Sequence, residues 1–246
     1  MDYSPEIRVE PILTAAGVMA EVLSVPPVCE ESGCKHEVEI GEVIRRDRPD
    51  LDVLMPRQTH TVNVAIAERA DDVFEETDAL VTFRKGLRIG VRTADCVPIV
   101  LWAPDVEGVA AVHAGWKGTL GGIVERTLDV LEERGAKAED IRVAFGPSIG
   151  VKRYEVDEGL AERFREAGFG SCVSYPGGEG SKPHIDLEGV NIERLLRRGV
   201  REGNIRRSEW CTFDAVLADG RPRYPSYRRD GGTALRLVTS VLLPED

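Results

Sequence analysis

The sequence predicts an α+β fold built on mixed β-sheets. Apolar runs of strand length occur together with segments in which apolar residues recur every three or four positions, the spacing of one helix face. These strands and helices do not follow the strict β-α-β rhythm of a parallel sheet. The sequence also lacks a Gly-rich dinucleotide-binding fingerprint, which disfavours a Rossmann-type fold.

Five segments are predicted to be strands. In the first, Leu87, Ile89 and Val91 alternate with polar residues, which indicates a half-buried strand. The run at 97–102 is continuously apolar, as in a strand buried on both faces. Apolar runs of similar length predict the remaining strands at 108–112, 142–145 and 235–242.

Three helices are predicted. The clearest runs from about residue 119 to 134, because its apolar residues fall on one helical face, and Gly135 then provides a natural stop. Asp157 is expected to cap a second helix that continues to about Ala167. A third helix is predicted over about 187–200.

We predict a single domain over residues 1–246. The stretches at 25–34 and 175–181 are rich in turn-forming residues and are predicted to be loops, but they are too short for domain linkers. The chain contains no internal repeat. Its length is sufficient for one large core.

Charge and cysteine usage narrow the functional class. The 32 Lys and Arg residues and 43 Asp and Glu residues give a net charge of −11, so neither nucleic acid nor an anionic membrane is an expected partner. No apolar run approaches the ~18 residues that span a bilayer. The first residues lack the basic and apolar parts of a secretory signal, so we expect a cytoplasmic protein. The five cysteines are odd in number and scattered, which disfavours a disulfide framework.

Three short motifs contain side chains suited to metal chemistry. Cys96 ends Thr-Ala-Asp-Cys between two predicted strands, His113 opens His-Ala-Gly-Trp after another, and His60 ends Gln-Thr-His upstream. One thiolate and two imidazoles suit zinc with one open coordination position. The alternatives are a buried structural cysteine and a turn histidine without a ligand. Glycines after His113 indicate a tight turn into a helix, whose N-terminus suits an anion such as phosphate.

These motifs and several others resemble the laccase-domain family, also labelled multicopper polyphenol oxidase and zinc-dependent purine nucleoside phosphorylase. The order and context of the matching residues agree from about 52 to 240. The matching segments are 58–60, 93–99, 111–118, 146–150, 154–156, 211–212 and 226–230.

The resemblance implies a layered α/β/β/α sandwich with a site in a surface cleft. It implies His60, Cys96 and His113 as zinc ligands at the catalytic centre, and phosphorolysis of adenosine, inosine, guanosine and methylthioadenosine together with adenosine deamination. Zinc polarises substrate oxygens and lowers the pKa of bound water. Asp95 is interpreted as an acid/base or as a partner of the metal site, with a plain turn aspartate as the alternative.

Phosphate must be held against the net negative charge, and arginine offers a bidentate fork. Arg228 and Arg229 are the first candidates and Lys117 the next; the alternative is a solvated basic run. Gln58 is the single glutamine of the chain and is expected beside the site.

The sequence departs from the family pattern in two places. Residues 1–50 show no clear equivalent of the segment that helps to wall the pocket. The small residue, glycine and arginine that usually follow the arginine pair are replaced by Thr233-Ala234-Leu235-Arg236. A second metal site at Cys29, Cys34 and His36 is a further hypothesis, although it lacks a fourth ligand.

Four histidines are too few for the several copper centres of a multicopper oxidase, so blue-copper chemistry is not expected. Two other interpretations remain open. One is a metal-free cysteine hydrolase or amidase that edits cell-wall precursors, with Cys96 as nucleophile and His113 as base. The other is a non-catalytic binding module. The sequence predicts no oligomeric state.

Overall fold

The computed structural model describes residues 8–15, 18–24, 40, 44–178, 180–232 and 235–245. Most of the strands assemble into two sheets. The strands are β1 Arg8–Ala15, β2 Val18–Ser24, β3 Val64–Ile66, β4 Ala79–Thr82, β5 Arg88–Thr93, β6 Val97–Ala103, β7 Gly108–Ala114, β8 Arg142–Phe145, β9 Val173–Ser174, β10 His184–Ile185, β11 Ile205–Arg206 and β12 Leu237–Leu242.

The larger sheet has six strands in the order β11-β8-β6-β7-β4-β3. Its outer pairs, β11 with β8 and β3 with β4, are parallel, whereas the inner pairs are antiparallel. The sheet is therefore mixed, as the sequence predicts.

The smaller sheet has four antiparallel strands in the order β1-β2-β12-β5. One of its faces packs on the six-stranded sheet, and Ile89, Val91 and Val241 meet Val100 and Ala111 in the buried core between them. Its other face is covered by side chains that include Ile40, Ile44, Leu51 and Val53.

The helices that pack on this fold are α1 Trp116–Gly121, α2 Ile123–Glu133, α3 Glu158–Glu166 and α4 Leu187–Arg197. Their apolar faces cover the outer face of the six-stranded sheet through a core that includes Val124, Leu128, Phe164 and Leu195. The result is a layered mixed α/β arrangement of helices and two sheets, and the fold class predicted from the sequence is confirmed.

The two central strands are buried on both faces, as predicted for 97–102. Along β6, Ile99 and Leu101 face the helices, whereas Val100 and Trp102 face the second sheet. Antiparallel pairing joins β6 to β7 in a hairpin whose register sets Val97 opposite Ala114. The ends of these strands that lead to Cys96 and His113 therefore meet at one edge.

Several element boundaries differ from the predictions. The helix predicted over 119–134 begins at Trp116 and is interrupted at Gly122, which has a φ of 80°. The third helix ends at Arg197 rather than Val200, and the last strand begins at Leu237 rather than Leu235. The interruption divides the predicted helix because Gly122 is left-handed, a conformation that glycine adopts without steric cost.

The prediction of a half-buried strand at 87–91 is wrong. Within β5 the positions between the apolar residues are buried too, because Gly90 approaches Val53 and the Arg88 guanidinium pairs with Glu21 at 2.9 Å. The second face of this strand is therefore covered by another segment of the chain, which strand periodicity cannot report.

Within the part of the chain that the structure describes, each helix is too short or too polar to cross a membrane. The predicted loop at 25–34 and the hypothetical site at Cys29, Cys34 and His36 lie outside the described residues.

Candidate metal centre

Two strand ends and one loop bring three predicted ligands together. Cys96 lies in the turn between β5 and β6, and His113 is the penultimate residue of β7, inside the strand rather than after it. His60 lies in the loop that precedes β3. The ligand atoms of these three side chains all lie within 4.8 Å of one another, and this is the one such group of His, Cys, Asp or Glu among the described residues.

The close approach depends on a glycine. The His60 and His113 rings meet edge to face with their centroids 4.9 Å apart. A Cβ atom on Gly115 would lie 3.1 Å from both Cys96 Sγ and His60 Cδ2, tighter than ordinary packing. Gly115 also occupies the position before α1, so the turn leaves space for the ligands where another residue would crowd them.

Asp78 organises the centre, and the sequence analysis missed it. Its carboxylate is fully buried and lies 2.7 Å from His113 Nδ1. It also accepts hydrogen bonds from the main-chain amides of His60 and Thr61, at 3.0 and 2.7 Å. One carboxylate thus fixes two of the three ligands, including His60 in its left-handed conformation at a φ of 63°. The one sequence signal is an acidic residue directly before a short apolar run, Ala79-Leu80-Val81.

The hydrogen bond to Asp78 defines the role of each nitrogen of His113. Nδ1 faces the carboxylate as a donor, which leaves Nε2 as the nitrogen available to a metal. Burial alone raises the pKa of Asp78, but hydrogen bonds from His113 and Thr61 outweigh burial and hold that pKa at about 2. The carboxylate is therefore ionised across the physiological range.

Cys96 and His113 shift each other's pKa. Burial raises the pKa of Cys96, yet the neighbouring His113 and His60 lower it below the ordinary thiol value. Burial lowers the pKa of His113, yet Cys96 and Asp78 raise it above the ordinary value. The pair therefore favours a thiolate beside a protonated imidazole without a metal, and a metal ion would displace that proton.

A cavity of about 460 Å³ opens beside the three ligands. Trp116, Ile149, Tyr154 and Leu187 provide an apolar wall, and Tyr227 also lines the cavity. Among the described residues, three arginines contribute to the lining: Arg92, Arg228 and Arg236. Each of their guanidinium groups also donates to a main-chain oxygen, that of Pro56, Glu155 and Leu235 respectively. A mostly apolar cavity with a few charged groups is typical of a small-molecule site.

The three cations predicted from the sequence to bind phosphate take different positions relative to the cavity. Arg228 lines the cavity, but Lys117 and Arg229 are not among the described residues that do. The Lys117 ammonium lies 5.7 Å from the Trp116 ring centroid. The Arg229 guanidinium bonds Asp230 and the main-chain oxygens of Thr212 and Tyr224. The geometry therefore gives no support to phosphate contacts from these two side chains.

Arg92 and Arg236 were not among the sequence candidates. In the antiparallel pair β5–β12, Arg92 stands opposite Val238, and Arg236 precedes β12 by one residue. The two arginines are therefore diagonal neighbours on the same face of this sheet, within reach for long side chains. Arg236 lies in the segment that departs from the family pattern, which is the one signal that singled it out.

Gln58 and Asp95 line the cavity, but their polar atoms are committed to other groups. The Gln58 amide bonds both the main-chain N–H and the main-chain oxygen of Arg92, each at 2.8 Å. Asp95 has a φ of 80°, and its carboxylate accepts from Thr212 Oγ1 at 2.6 Å and from the Arg228 main-chain N–H at 2.7 Å. Both side chains join segments that form the cavity.

Helices, two packed sheets and a His-Cys-His cluster at a strand edge define a layered α/β protein with a candidate metal site. The chain belongs to the family described as multi-copper polyphenol oxidoreductase laccase, whose family model matches residues 42–244.

Relatives in this family are named as nucleoside enzymes. The chain is 39% identical to a purine nucleoside phosphorylase of Deinococcus radiodurans, over 76% of this chain and 68% of that protein. It is 37% identical to a purine nucleoside phosphorylase of Aquifex aeolicus, over 84% of this chain and 92% of that protein. It is 40% identical to adenosine deaminase RL5 of an unknown prokaryotic organism, over 65% of each protein.

Solved structures support the same fold. Protein YfiH of Bacillus licheniformis has a TM-score of 0.78 at 25% identity and covers 98% of this chain and 99% of its own. Protein NMB0706 of Neisseria meningitidis has a TM-score of 0.79 at 23% identity and covers 96% of this chain and 99% of its own, which bears on the fold alone.

Proposed function

We propose that this protein is a zinc-dependent purine nucleoside phosphorylase that acts on adenosine, inosine, guanosine and methylthioadenosine and that also deaminates adenosine. The observation that carries the proposal is the convergence of His60, Cys96 and His113 at a cavity that also contains arginines and aromatic rings. The names of the relatives at 37% to 40% identity support the reaction class.

The donor set fits zinc. Two imidazoles and one thiolate are nitrogen and sulfur ligands of the kind zinc prefers, and three protein ligands leave one position for a reactant. Gly115 provides the space, and Asp78 holds His113 with Nε2 available. When bound, zinc supplies Lewis-acid polarisation of oxygen and a lowered pKa of water.

The remaining residues orient the substrates. In phosphorolysis, phosphate attacks C1′ of the ribose and the bond to the purine nitrogen breaks. We assign the binding of phosphate to Arg228 together with Arg92 and Arg236, since these cationic residues line the cavity in a protein of net charge −11. Asp95 fixes the main chain of Arg228, so we assign it a positioning role. Its action as an acid or base stays a prediction.

The test is a nucleoside screen on protein of measured zinc content. Purified protein is incubated with each of the four nucleosides, with and without phosphate, and free base and ammonia are quantified. We expect free base only with phosphate, ammonia from adenosine, and about one zinc per chain. Cys96→Ala should lose zinc and both activities.

Cys172→Ala is the matched control, because Cys172 is also a partly exposed free cysteine but lies outside the cavity lining. This variant should keep its zinc and its turnover. Zinc-loaded wild-type protein that releases neither base nor ammonia from any of the nucleosides would refute the proposal.

The lowered pKa of Cys96 beside His113 also favours a second candidate, a cysteine hydrolase or amidase that edits cell-wall precursors. The same protein decides between the two. Amide hydrolysis that survives chelation of the metal and requires Cys96 would support the hydrolase, whereas activity that disappears on chelation and returns with zinc supports the nucleoside enzyme.

A further inference from the structure

Besides the two histidines, three aromatic side chains among the described residues line the cavity, and they differ in what covers their rings. Trp116 carries the Lys117 ammonium 5.7 Å from its centroid and the Arg163 guanidinium at 5.1 Å. Tyr154 is partly buried and has the Arg228 guanidinium 5.6 Å from its centroid. Tyr227 instead leaves 57% of its surface exposed while lining the same cavity.

The backbone around Tyr227 is firmly held, although its ring is exposed. The next residue, Arg228, donates its main-chain N–H to the buried carboxylate of Asp95 at 2.7 Å. The main-chain carbonyl oxygen of Tyr227 accepts from the Gly232 N–H at 3.0 Å, and a Cβ atom on Gly232 would lie 3.9 Å from the Tyr227 ring. The preceding Ser226 is fully buried. An aromatic ring on a fixed backbone loses little entropy when a ligand stacks on it.

We infer that Tyr227 is the stacking platform for the purine ring and therefore a determinant of substrate specificity. This inference rests on the proposed function and assigns the base to one wall of the cavity. A planar heterocycle gains most from an aromatic face that is exposed and fixed in place, and stacking tolerates different exocyclic groups because every purine presents a π-face. A stacking platform therefore suits an enzyme that accepts adenosine, inosine and guanosine alike.

The test compares Tyr227→Ala, Tyr227→Leu and Tyr227→Phe in zinc-loaded protein. Loss of base stacking typically corresponds to roughly a tenfold weaker interaction or more. We expect Tyr227→Ala and Tyr227→Leu to raise KM for adenosine and inosine about tenfold, with kcat, KM for phosphate and zinc content unchanged. Tyr227→Phe should stay within about twofold of wild type, because the ring is retained.

Tyr175→Ala is the matched control, since Tyr175 is 40% exposed and bonds Glu158 away from the cavity. It should leave all constants unchanged. A Tyr227→Leu variant with wild-type KM, or one in which KM for phosphate and zinc content change together with KM for the nucleoside, would overturn the inference, because the first shows that no ring is needed and the second indicates a structural role.

Binding separates this inference from the proposed function. Equilibrium dialysis with free adenine measures base binding without turnover. If wild-type protein binds adenine and Tyr227→Ala binds it about tenfold more weakly, the platform stands even when no nucleoside is cleaved. Equal binding by both proteins, or none by the wild type, would refute it.

Discussion

At the scale of single residues, Asp78 positions two ligands of the candidate metal centre through hydrogen bonds. Its two oxygens accept hydrogen bonds from the His113 ring nitrogen, the main-chain amides of residues 59–61 and the Thr61 hydroxyl. A metal-binding histidine usually bonds such a carboxylate through its second nitrogen, which fixes the ring and raises its basicity. The same residue here also fixes the loop that carries His60.

We predict that Asp78→Asn weakens zinc binding about 10- to 100-fold. Asparagine keeps one acceptor oxygen, but its NH₂ group would face N–H donors where a carboxylate oxygen now accepts them. The measurement is a competition titration of the apoprotein with zinc and a chromophoric chelator.

Asp72→Asn is the control for this substitution. Asp72 also accepts two main-chain N–H groups, from Glu68 and Arg69 at 2.9 Å each, in a turn whose residues do not line the cavity at the metal centre. Zinc affinity equal to wild type in Asp78→Asn would contradict the assigned role of Asp78.

At the scale of elements, the β6–β7 hairpin decides where the ligands meet. Its register pairs Pro98 with His113 and Val97 with Ala114, which brings the residue before β6, Cys96, to the turn at Gly115. A hairpin brings distant residues together at its open end, so the long interval between Cys96 and His113 is the length of the two strands and their turn. Strand spacing therefore explains a ligand interval that matches no zinc finger.

Two helices begin directly after an aspartate, and the two aspartates differ in whether they cap the helix. This difference gives a prediction about stability at the scale of elements. Asp186 caps α4 by accepting from the Gly189 N–H at 2.8 Å. Asp157 occupies the position before α3 but makes no side-chain capping bond, so the predicted capping role of its side chain is wrong. Asp186→Ala should lower the free energy of unfolding by about 1 kcal/mol, a typical value for loss of a cap.

Asp157→Ala should change the free energy of unfolding by less than about 0.5 kcal/mol, as for an exposed substitution. Urea denaturation of both variants with unchanged m-values makes the comparison. Equal destabilisation of the two would show that the capping bond of Asp186 contributes nothing.

At the scale of the whole molecule, one carboxyl couples stability to pH. Glu188, in the first turn of α4, is partly buried and accepts from the Ser208 N–H at 3.3 Å. Burial raises its pKa to about 7, and the nearby Asp186 adds to the rise. Because this pKa is raised in the folded state, the protonated form stabilises the fold, and that stability is lost as pH rises from about 4.5 through about 7.

We therefore predict that the unfolding free energy of Glu188→Gln, minus that of wild type, increases by about 2 kcal/mol from pH 5 to pH 8. The reason is that glutamine stays neutral, whereas Glu188 loses its proton over this range. Urea denaturation at both pH values measures the difference. Glu166→Gln, at the exposed end of α3, is the control. An unchanged difference between wild type and Glu188→Gln at the two pH values would contradict the raised pKa.

The arginines show the limit of sequence reasoning at this scale. The motif that contains Arg228 and Arg229 predicts cations at the site, but neighbouring residues on a turn point in different directions, and only Arg228 of the two lines the cavity. Arg92 and Arg236 reach it because β5 and β12 are paired, although their positions are far apart in the chain. Whether either residue binds phosphate stays a prediction.

The sequence by itself determined the local elements and the chemical identity of the ligands. Apolar runs and helical periodicity are local properties, so they predicted β6, β7, β8 and the helices. The thiol and the two imidazoles are recognisable as metal ligands from their residue types alone. The single domain over 1–246 stays a prediction.

Tertiary structure alone decided how these parts cooperate. It placed Asp78 against two ligands, covered the second face of β5, and brought Arg92 and Arg236 to the cavity lining. The physical reason is that strand pairing and sheet packing set the direction of each side chain and the neighbours it meets across the chain, and no short stretch of residues encodes either.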